Sequence, residues 1–387
     1  MISKRAVGIE ESATLAITAR AKQMKKDGDD VIIFGAGEPD FDTPENIKKA
    51  AIMSINEGFT KYTPVQGMPE LRQAICTKFK RDNDLDYTPD NIIVSCGGKH
   101  VLYNIMQALL NRGDEVIMPT PYWVSYIEQI KLADARPVLV STGKNFAISA
   151  DSIKAKTNTR TKLIILNSPS NPTGAVADKE ELESIAELAV KKKIYVISDE
   201  VYEKFVYDGD FCSIASLNDD IKKLTITVNA VSKTYSMTGW RIGYASAEKD
   251  IIGAMTNIQS HSTSNPTSIS QKAALEALNG PQDSVSSMVK AFRERRDFIV
   301  KRLNGIKGVN CVNPRGAFYV FPDVSALYRG KIKGSLDFSA KLLDDSKVAV
   351  IPGEAFGDDR CIRLSYACSM DSIKEGVRRI REFCEHI

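Results

Sequence analysis

A primary amine and a guanidinium share the segment Ser232-Lys233-Thr234-Tyr235-Ser236-Met237-Thr238-Gly239-Trp240-Arg241-Ile242-Gly243. The amine could attack a carbonyl, the guanidinium could hold a phosphate, and hydroxyls of the same segment could assist it. A lysine among apolar neighbours and close to a second cation has a depressed pKa, the condition for Schiff-base chemistry. The segment follows Leu224-Thr225-Ile226-Thr227-Val228, a β-branched apolar run that reads as a buried strand. Lys233 and Arg241 therefore fall just past a strand's carboxyl end, where open α/β sheets bind ligands. Taken alone, the segment reads more readily as a solvated loop after a strand.

The elements around it supply more chemistry at equivalent places. From Lys162 the pattern alternates regularly: a strand Leu163 to Leu166, the loop Asn167-Ser168-Pro169-Ser170-Asn171-Pro172-Thr173-Gly174, and a helix opened by a capping box, Asp178-x-x-Glu181. A strand Ile194 to Ile197 and then Ser198-Asp199-Glu200-Val201-Tyr202 complete the unit. Strand-helix-strand spacing implies parallel pairing. Asn171, Asp199 and Lys233 thus follow three carboxyl ends and are expected to converge on one crevice. Upstream, the strand Ile92-Ile93-Val94 leads through Ser95-Cys96-Gly97-Gly98-Lys99 into a helix carrying Val101, Leu102, Ile105, Met106 and Leu109. A glycine pair at a helix start offers backbone N–H groups and the helix dipole to an anion. Glu115 to Met118 reads as a further strand, followed by Pro119-Thr120-Pro121-Tyr122-Trp123, whose indole could stack on a flat ring or fill the core.

Ser12 to Lys26 reads as an amphipathic helix and Val31 to Phe34 as a short strand. Gly35-Ala36-Gly37 follows, and Thr43-Pro44-Glu45 starts a helix with threonine as cap. G-x-G is not followed by x-x-G, and no G-x-x-x-x-G-K occurs, so dinucleotide and P-loop readings lack their fingerprint. Lys61-Tyr62-Thr63-Pro64 is a loop before a helix that begins near Pro69. Beyond Gly243 the pattern is helical through Leu303, broken at Asn279-Gly280-Pro281. Short strands (Ala317 to Phe321, Val348 to Ile351, Cys361 to Leu364) and helices (Asp337 to Asp345, Asp371 to Glu385) then suggest a second, smaller domain joined by the N-terminal helix.

With 387 residues, 43% of them hydrophobic and 26% charged, the composition is that of an ordinary globular protein with ample core. A net charge of +3 gives no footprint for a nucleic-acid partner. Arg293-Glu294-Arg295-Arg296 reads as a solvated helix face. Seven scattered cysteines without C-x-x-C spacing indicate neither a disulfide framework nor a zinc site, and three distant histidines offer no metal centre. The expected setting is a reducing cytoplasm, with no signal peptide, membrane span or membrane partner.

The segment around Lys233 resembles the cofactor-lysine signature of class I aminotransferases, which belong to the fold-type I pyridoxal-phosphate enzymes, and the resemblance runs from the N-terminal helix to the last strand. It implies an α/β fold: a large domain with a mainly parallel sheet flanked by helices, plus a smaller α+β domain. Residues 1–45 would form an N-terminal arm and part of the small domain, 46–280 the large cofactor-binding domain, and 281–387 the small domain.

The same resemblance assigns roles. Lys233 would carry pyridoxal 5′-phosphate as a Schiff base and act as general base; Asp199 would pair with the pyridine nitrogen. Tyr202 and Asn171 would share the phenolic oxygen, and Trp123 would cover the ring. Ser232, Arg241, Gly98 and Lys99 would hold the phosphate, joined by Tyr62 from a partner subunit, which implies a homodimer with shared active sites. Arg363, in Arg-Leu-Ser-Tyr-Ala, would clamp the substrate α-carboxylate beside Gly37, with Asn171 and Trp123 also facing the substrate. Lys99 and Thr14 would serve a distal carboxylate, although Glu11 stands where relatives often carry proline. The implied reaction passes the amino group of aspartate to 2-oxoglutarate, giving oxaloacetate and glutamate, with prephenate as a further candidate acceptor. Amino acids and 2-oxo acids are the implied ligands. An alanine or aromatic aminotransferase is the alternative within the fold. A cofactor-binding regulator is the non-enzymatic one, but the resemblance already begins near Ser12, so no room is expected for the DNA-binding domain such a regulator carries.

Overall fold

Along Thr161–Asn167, Leu163 and Ile165 pack into one buried cluster while Ile164 and Leu166 pack into another. Burial with period two on both faces requires a strand covered on both sides, which is why its sequence is continuously apolar. The computed structural model that shows this describes residues 2–9 and 13–387, without the side chains of residues 4, 5 and 13–16.

Strand β1 (Ile32–Ile33) lies apart from the main sheet. That sheet comprises β2 (Ile92–Ser95), β3 (Glu115–Thr120), β4 (Arg136–Ser141), β5 (Thr161–Asn167), β6 (Tyr195–Asp199), β7 (Thr225–Ala230) and β8 (Gly243–Ser246), in the order β2-β8-β7-β6-β5-β3-β4. Neighbours from β7 to β4 pair in parallel, and β8 runs antiparallel to both β7 and β2. The sheet is therefore mainly parallel and flanked by helices. The helix Lys179–Lys192 covers one face with Leu182, Ile185, Ala186 and Ala189, a helical spacing that forms one apolar stripe. The helix Gly98–Leu109 covers the other with Val101, Leu102, Ile105 and Met106. Truncating a fully buried side chain such as Ile185 to alanine is expected to cost about 2–5 kcal/mol.

Two smaller sheets complete the chain. Strands β9 (Tyr319–Val320), β11 (Ile351–Pro352) and β12 (Ile362–Ser365) form an antiparallel sheet in the order β11-β12-β9, and β10 (Val348–Ala349) pairs in parallel with β1. A core of aromatic side chains, including Phe205, Phe292, Phe318 and Tyr366, lies beneath them. Among the described residues no helix is long and apolar enough to cross a membrane.

Four local readings of the sequence are corrected. Thr43 does not cap its helix, which is Glu45–Asn56 with Pro44 at the cap position. Its hydroxyl instead donates to Ser236 O (2.7 Å) and accepts from Trp240 Nε1 (3.0 Å). Asp178 and Glu181 form no capping box: Asp178 accepts from Arg315 (2.5 Å) and Glu181 from the Ala150 N–H (2.6 Å), because tertiary donors are nearer than the helix's own. The stretch after Gly243 opens with β8 before any helix, since Ile242 to Ala247 is buried between two strands. The run Arg293 to Arg296 is a solvated face only in part: Arg293 and Glu294 are exposed, but Arg295 and Arg296 are not. Arg296 is buried against Asp208 and Pro314 O, Arg295 pairs with Asp40 over the ring of Phe292, and Arg293 donates to Tyr207 O.

Candidate active site

Three strands of the main sheet end at one cavity of about 560 Å³, closed on its other side by the loop after β1 and by β9 and β12. Gly37, Gly98, Lys99, Trp123, Asn171, Asp199, Tyr202, Ser232, Lys233, Arg241 and Arg363 all line it. Of the remaining sequence candidates, Tyr62 lies outside this cavity with its side chain exposed, and the side chain of Thr14 lies outside the described residues, as does Glu11.

Lys233 sits in the short helix Val231–Thr234 that β7 feeds directly, so the strand fixes where the amine emerges. Its Nζ donates to Gly37 O at 2.5 Å. Burial lowers its pKa to about 8; Glu38 opposes that shift, and the charges of Arg241, Arg363 and Lys99 add to it. Glu38 is held in turn by Thr238, whose hydroxyl donates to Oε2 at 2.7 Å. Thr43 and Trp240 tie the same two loops together, so the loop after β1 and the lysine loop form one wall.

Asp199 ends β6 and is almost fully buried, and burial pushes its carboxyl up to about 6 against the opposing effect of the Tyr126 hydroxyl. Tyr126 Oη donates to Asp199 Oδ2 at 2.5 Å. Trp123 stands edge-on to Tyr126 with ring centroids 5.3 Å apart, and Lys99 Nζ lies 5.0 Å from the Trp123 ring centroid.

At the N-terminus of the helix Gly98–Leu109, the His100 and Val101 amides donate to Gly97 O, while Gly98 and Lys99, whose amides have no helical acceptor, line the cavity beside Ser232 and Arg241. Arg241 donates to Thr238 O (2.8 Å) and Cys96 O (3.3 Å), two neutral carbonyls. Gly97 has φ +88, and a Cβ there would come within 2.4 Å of Arg241 Nη2. A Cβ on Gly243 would stand 2.2 Å from Gly98 N. These glycines let the guanidinium and a neighbouring strand close directly onto the helix start, which makes a cationic, donor-rich cradle suited to a phosphate.

Arg363, on β12, is 3% exposed, and its hydrogen-bond acceptors among the described residues are neutral. Nη1 donates to Asn171 Oδ1 (3.0 Å), Nη2 to Gly35 O (2.9 Å), and Nε has no hydrogen-bond partner among the described residues. Its Cζ lies 4.7 and 4.9 Å from the ring centroids of Tyr319 and Phe356. The backbone acceptor at the clamp is thus Gly35, while Gly37 O is taken by Lys233. A buried guanidinium without a counter-charge is unfavourable, and an arriving carboxylate would supply both the charge and an acceptor for Nε.

Three participants escaped the sequence reading: Tyr126, Glu38 and Tyr319. Tyr126 follows Trp123 by three residues across the start of the helix Ser125–Leu132, where its N–H donates to Trp123 O (3.1 Å), a closeness in sequence that could have flagged it. Glu38 and Tyr319 act through partners distant in the chain, Thr238 and Tyr202, and carry no local signal.

The description "aminotransferase class I and II" matches residues 29–380. An aspartate aminotransferase of Bacillus sp. (strain YM-2) is 53% identical over 387 residues, covering 99% of each chain. A protein of Aquifex aeolicus described as a probable aspartate/prephenate aminotransferase is 49% identical, covering 100% of this chain and 99% of its own. Among solved structures, the aspartate aminotransferase of Rhizobium meliloti superposes with a TM-score of 0.96 at 44% identity, covering 100% and 99% of the two chains. That of Thermus thermophilus with maleate gives 0.95 at 41%, covering 99% of each.

Proposed function

This chain belongs to the class I and II aminotransferase family, and from that premise we propose that it passes the amino group of aspartate to 2-oxoglutarate, with prephenate as a further acceptor. The observation that carries this reading is one cavity lined by the amine of Lys233, the buried carboxylate of Asp199 and the guanidinium groups of Arg241 and Arg363. Its cofactor is pyridoxal 5′-phosphate.

The residues fit that group. The Gly98 and Lys99 amides, Ser232 and Arg241 would hold the phosphate, for which Arg241 has unspent charge. Asp199 would hold the ring nitrogen as a cation, Asn171 and Tyr202 would hold the phenolic oxygen, and Trp123 would cover the ring. When bound, the cofactor supplies an aldehyde carbon that bonds to amines and a ring that takes up the electron pair left at a substrate Cα. Lys233, with a pKa near 8, keeps a usable neutral fraction near neutral pH, so Nζ can take the substrate Cα proton and return it. Arg363 would hold the α-carboxylate in two-pronged fashion, and its flanking rings exclude water from the ion pair. Lys99, whose Nζ lies over the Trp123 ring, would meet the distal carboxylate; that the Thermus relative was solved with maleate, a dicarboxylate, supports a dicarboxylic ligand.

Half-reaction assays that follow the visible band across a panel of amino donors test the reading. Conversion by aspartate and glutamate without release of ammonia or pyruvate is the expected result, and ammonia release or inertness towards both dicarboxylic donors would refute it. Lys99→Ala should raise KM for the dicarboxylic donors selectively; unchanged aspartate kinetics would remove Lys99 from the distal site and favour an alanine or aromatic donor.

The proposed assembly is a homodimer in which Tyr62 reaches the partner's phosphate cradle. Support comes from the exposed Tyr62 and from exposed Ile52, Met53 and Ile55 on the helix Glu45–Asn56, an apolar face of the kind that marks an interface. Mixing a Tyr62→Ala variant with a Lys233→Ala variant should restore one intact site per hybrid dimer. A monomer by sedimentation would end this part. A cytoplasmic location is proposed on the seven unpaired thiols.

A further inference from the structure

Tyr319 touches both halves of the site. It stands on β9, fully buried, and reaches the cavity between the main sheet and the small antiparallel sheet. Its hydroxyl lies 2.8 Å from that of Tyr202, and its ring face carries the Arg363 guanidinium at 4.7 Å. A Cβ on Gly37 would come within 3.3 Å of the same hydroxyl, so the loop that accepts from Lys233 also seats Tyr319.

Two hydroxyls 2.8 Å apart share one proton between them, and the other proton is left for something else. If Tyr202 gave its proton to Tyr319, it would present only lone pairs to the cavity and would repel a phenolate. If Tyr319 is the donor, the Tyr202 proton remains free to be given. The cation above its ring favours that direction: Arg363 opposes the burial-driven rise in pKa of both tyrosines, but it is the Tyr319 ring that it lies against, at 4.7 Å, and so Tyr319 that it polarises most directly as a donor. A hydroxyl that accepts one hydrogen bond is also polarised into a stronger donor of the next.

We propose that Tyr319 is a positioning residue that donates to Tyr202 Oη and thereby commits the Tyr202 proton to the cofactor's phenolic oxygen, while its ring holds the carboxylate-binding Arg363. This rests on the cofactor reading above. It makes the clamp for the substrate and the donor to the cofactor neighbours through a single side chain.

The test is a pH titration of the visible absorption of the cofactor-loaded enzyme, in wild type, Tyr319→Phe, Tyr202→Phe and the double variant. Donation to the phenolic oxygen stabilises its anionic form, so losing a polarising partner should move the protonation midpoint upward. Tyr319→Phe should shift it by roughly 0.5–1 pH unit, in the same direction as Tyr202→Phe but by less. In the Tyr202→Phe background Tyr319→Phe should add no shift, because its action passes through that hydroxyl. A Tyr319→Phe midpoint equal to wild type, or shifts that add in the double variant, would overturn the proposal. Tyr319→Leu, which also removes the ring, should give the Phe shift plus a rise in KM for every amino acid; an unchanged KM would overturn the link to Arg363. A wild-type protein that takes up no cofactor would refute the functional reading itself, a result distinct from either.

Discussion

Tyr126 donates its phenolic proton to Asp199 Oδ2 at 2.5 Å, in a position where both side chains are almost fully buried. Among the described residues the other donor to this carboxylate is the Val201 N–H, at 3.4 Å from Oδ1. A hydrogen bond to a charged group contributes about 1.5–3 kcal/mol, so Tyr126→Phe should lower kcat by roughly 10–100-fold. The sign of the pH effect follows from burial, which already raises Asp199 to about 6. Without the phenol the carboxylate protonates still more readily, and the acidic limb of the kcat profile should move to higher pH. Wild-type kcat across the pH range would show that Asp199 needs no such donor.

Arg363→Lys tests the clamp. A lysine cannot donate along two parallel directions and cannot lie flat between Tyr319 and Phe356. KM for every amino donor should rise by roughly 10–100-fold, the loss of about one charge-assisted hydrogen bond. Because the guanidinium also lies over Tyr319 and donates to Asn171, the protonation midpoint of the visible band should move as well; unchanged KM for every donor would remove Arg363 from the clamp.

How far the sequence announced this site depends on where each residue stands relative to a strand. Lys233, Asp199 and Asn171 follow or end apolar runs that read clearly as strands, so their convergence was legible from the rule that ligands meet carboxyl ends. The glycine pair at 97 and 98 was legible as a strand-to-helix turn, but not the reason for its size limit, which is the guanidinium of Arg241 packed against it. Strand order and the antiparallel placement of β8 depend on tertiary pairing and leave no local pattern. Thr43 and Arg296 were misjudged because local rules described them as a cap and a surface charge, whereas distant partners determine both.

Gly97→Ala should damage the cradle without touching the amine. Its Cβ would press on Arg241 at 2.4 Å, in a backbone with φ +88 that alanine resists. The concentration of pyridoxal 5′-phosphate that half-saturates the apoprotein should rise at least tenfold, about 1.4 kcal/mol. Affinity for pyridoxal, which lacks the phosphate, should change little. Equal losses for the two compounds would mean that the substitution distorts more than the cradle.

Glu200, next to Asp199 in the chain, belongs to a different buried network. Its Oε1 accepts from Ser198 (2.7 Å) and Ser213 (2.6 Å), and its Oε2 from Asn83 (3.1 Å). Asn83 also donates to Glu203 (2.7 Å), which forms an ion pair with Lys78. Burial, and then the charge of Glu203, push Glu200 up to about 8 from the usual 4.5. Between these values the folded protein holds a proton that the unfolded chain has released. The resulting stability is fully present below about 4.5 and is lost as pH rises through about 8. Glu200→Gln keeps the site neutral at every pH, so its thermal midpoint relative to wild type should climb as pH rises from about 5 to 9. Whatever the offset between the two proteins at low pH, a difference that stays constant across this window would show that Glu200 is not the group that titrates.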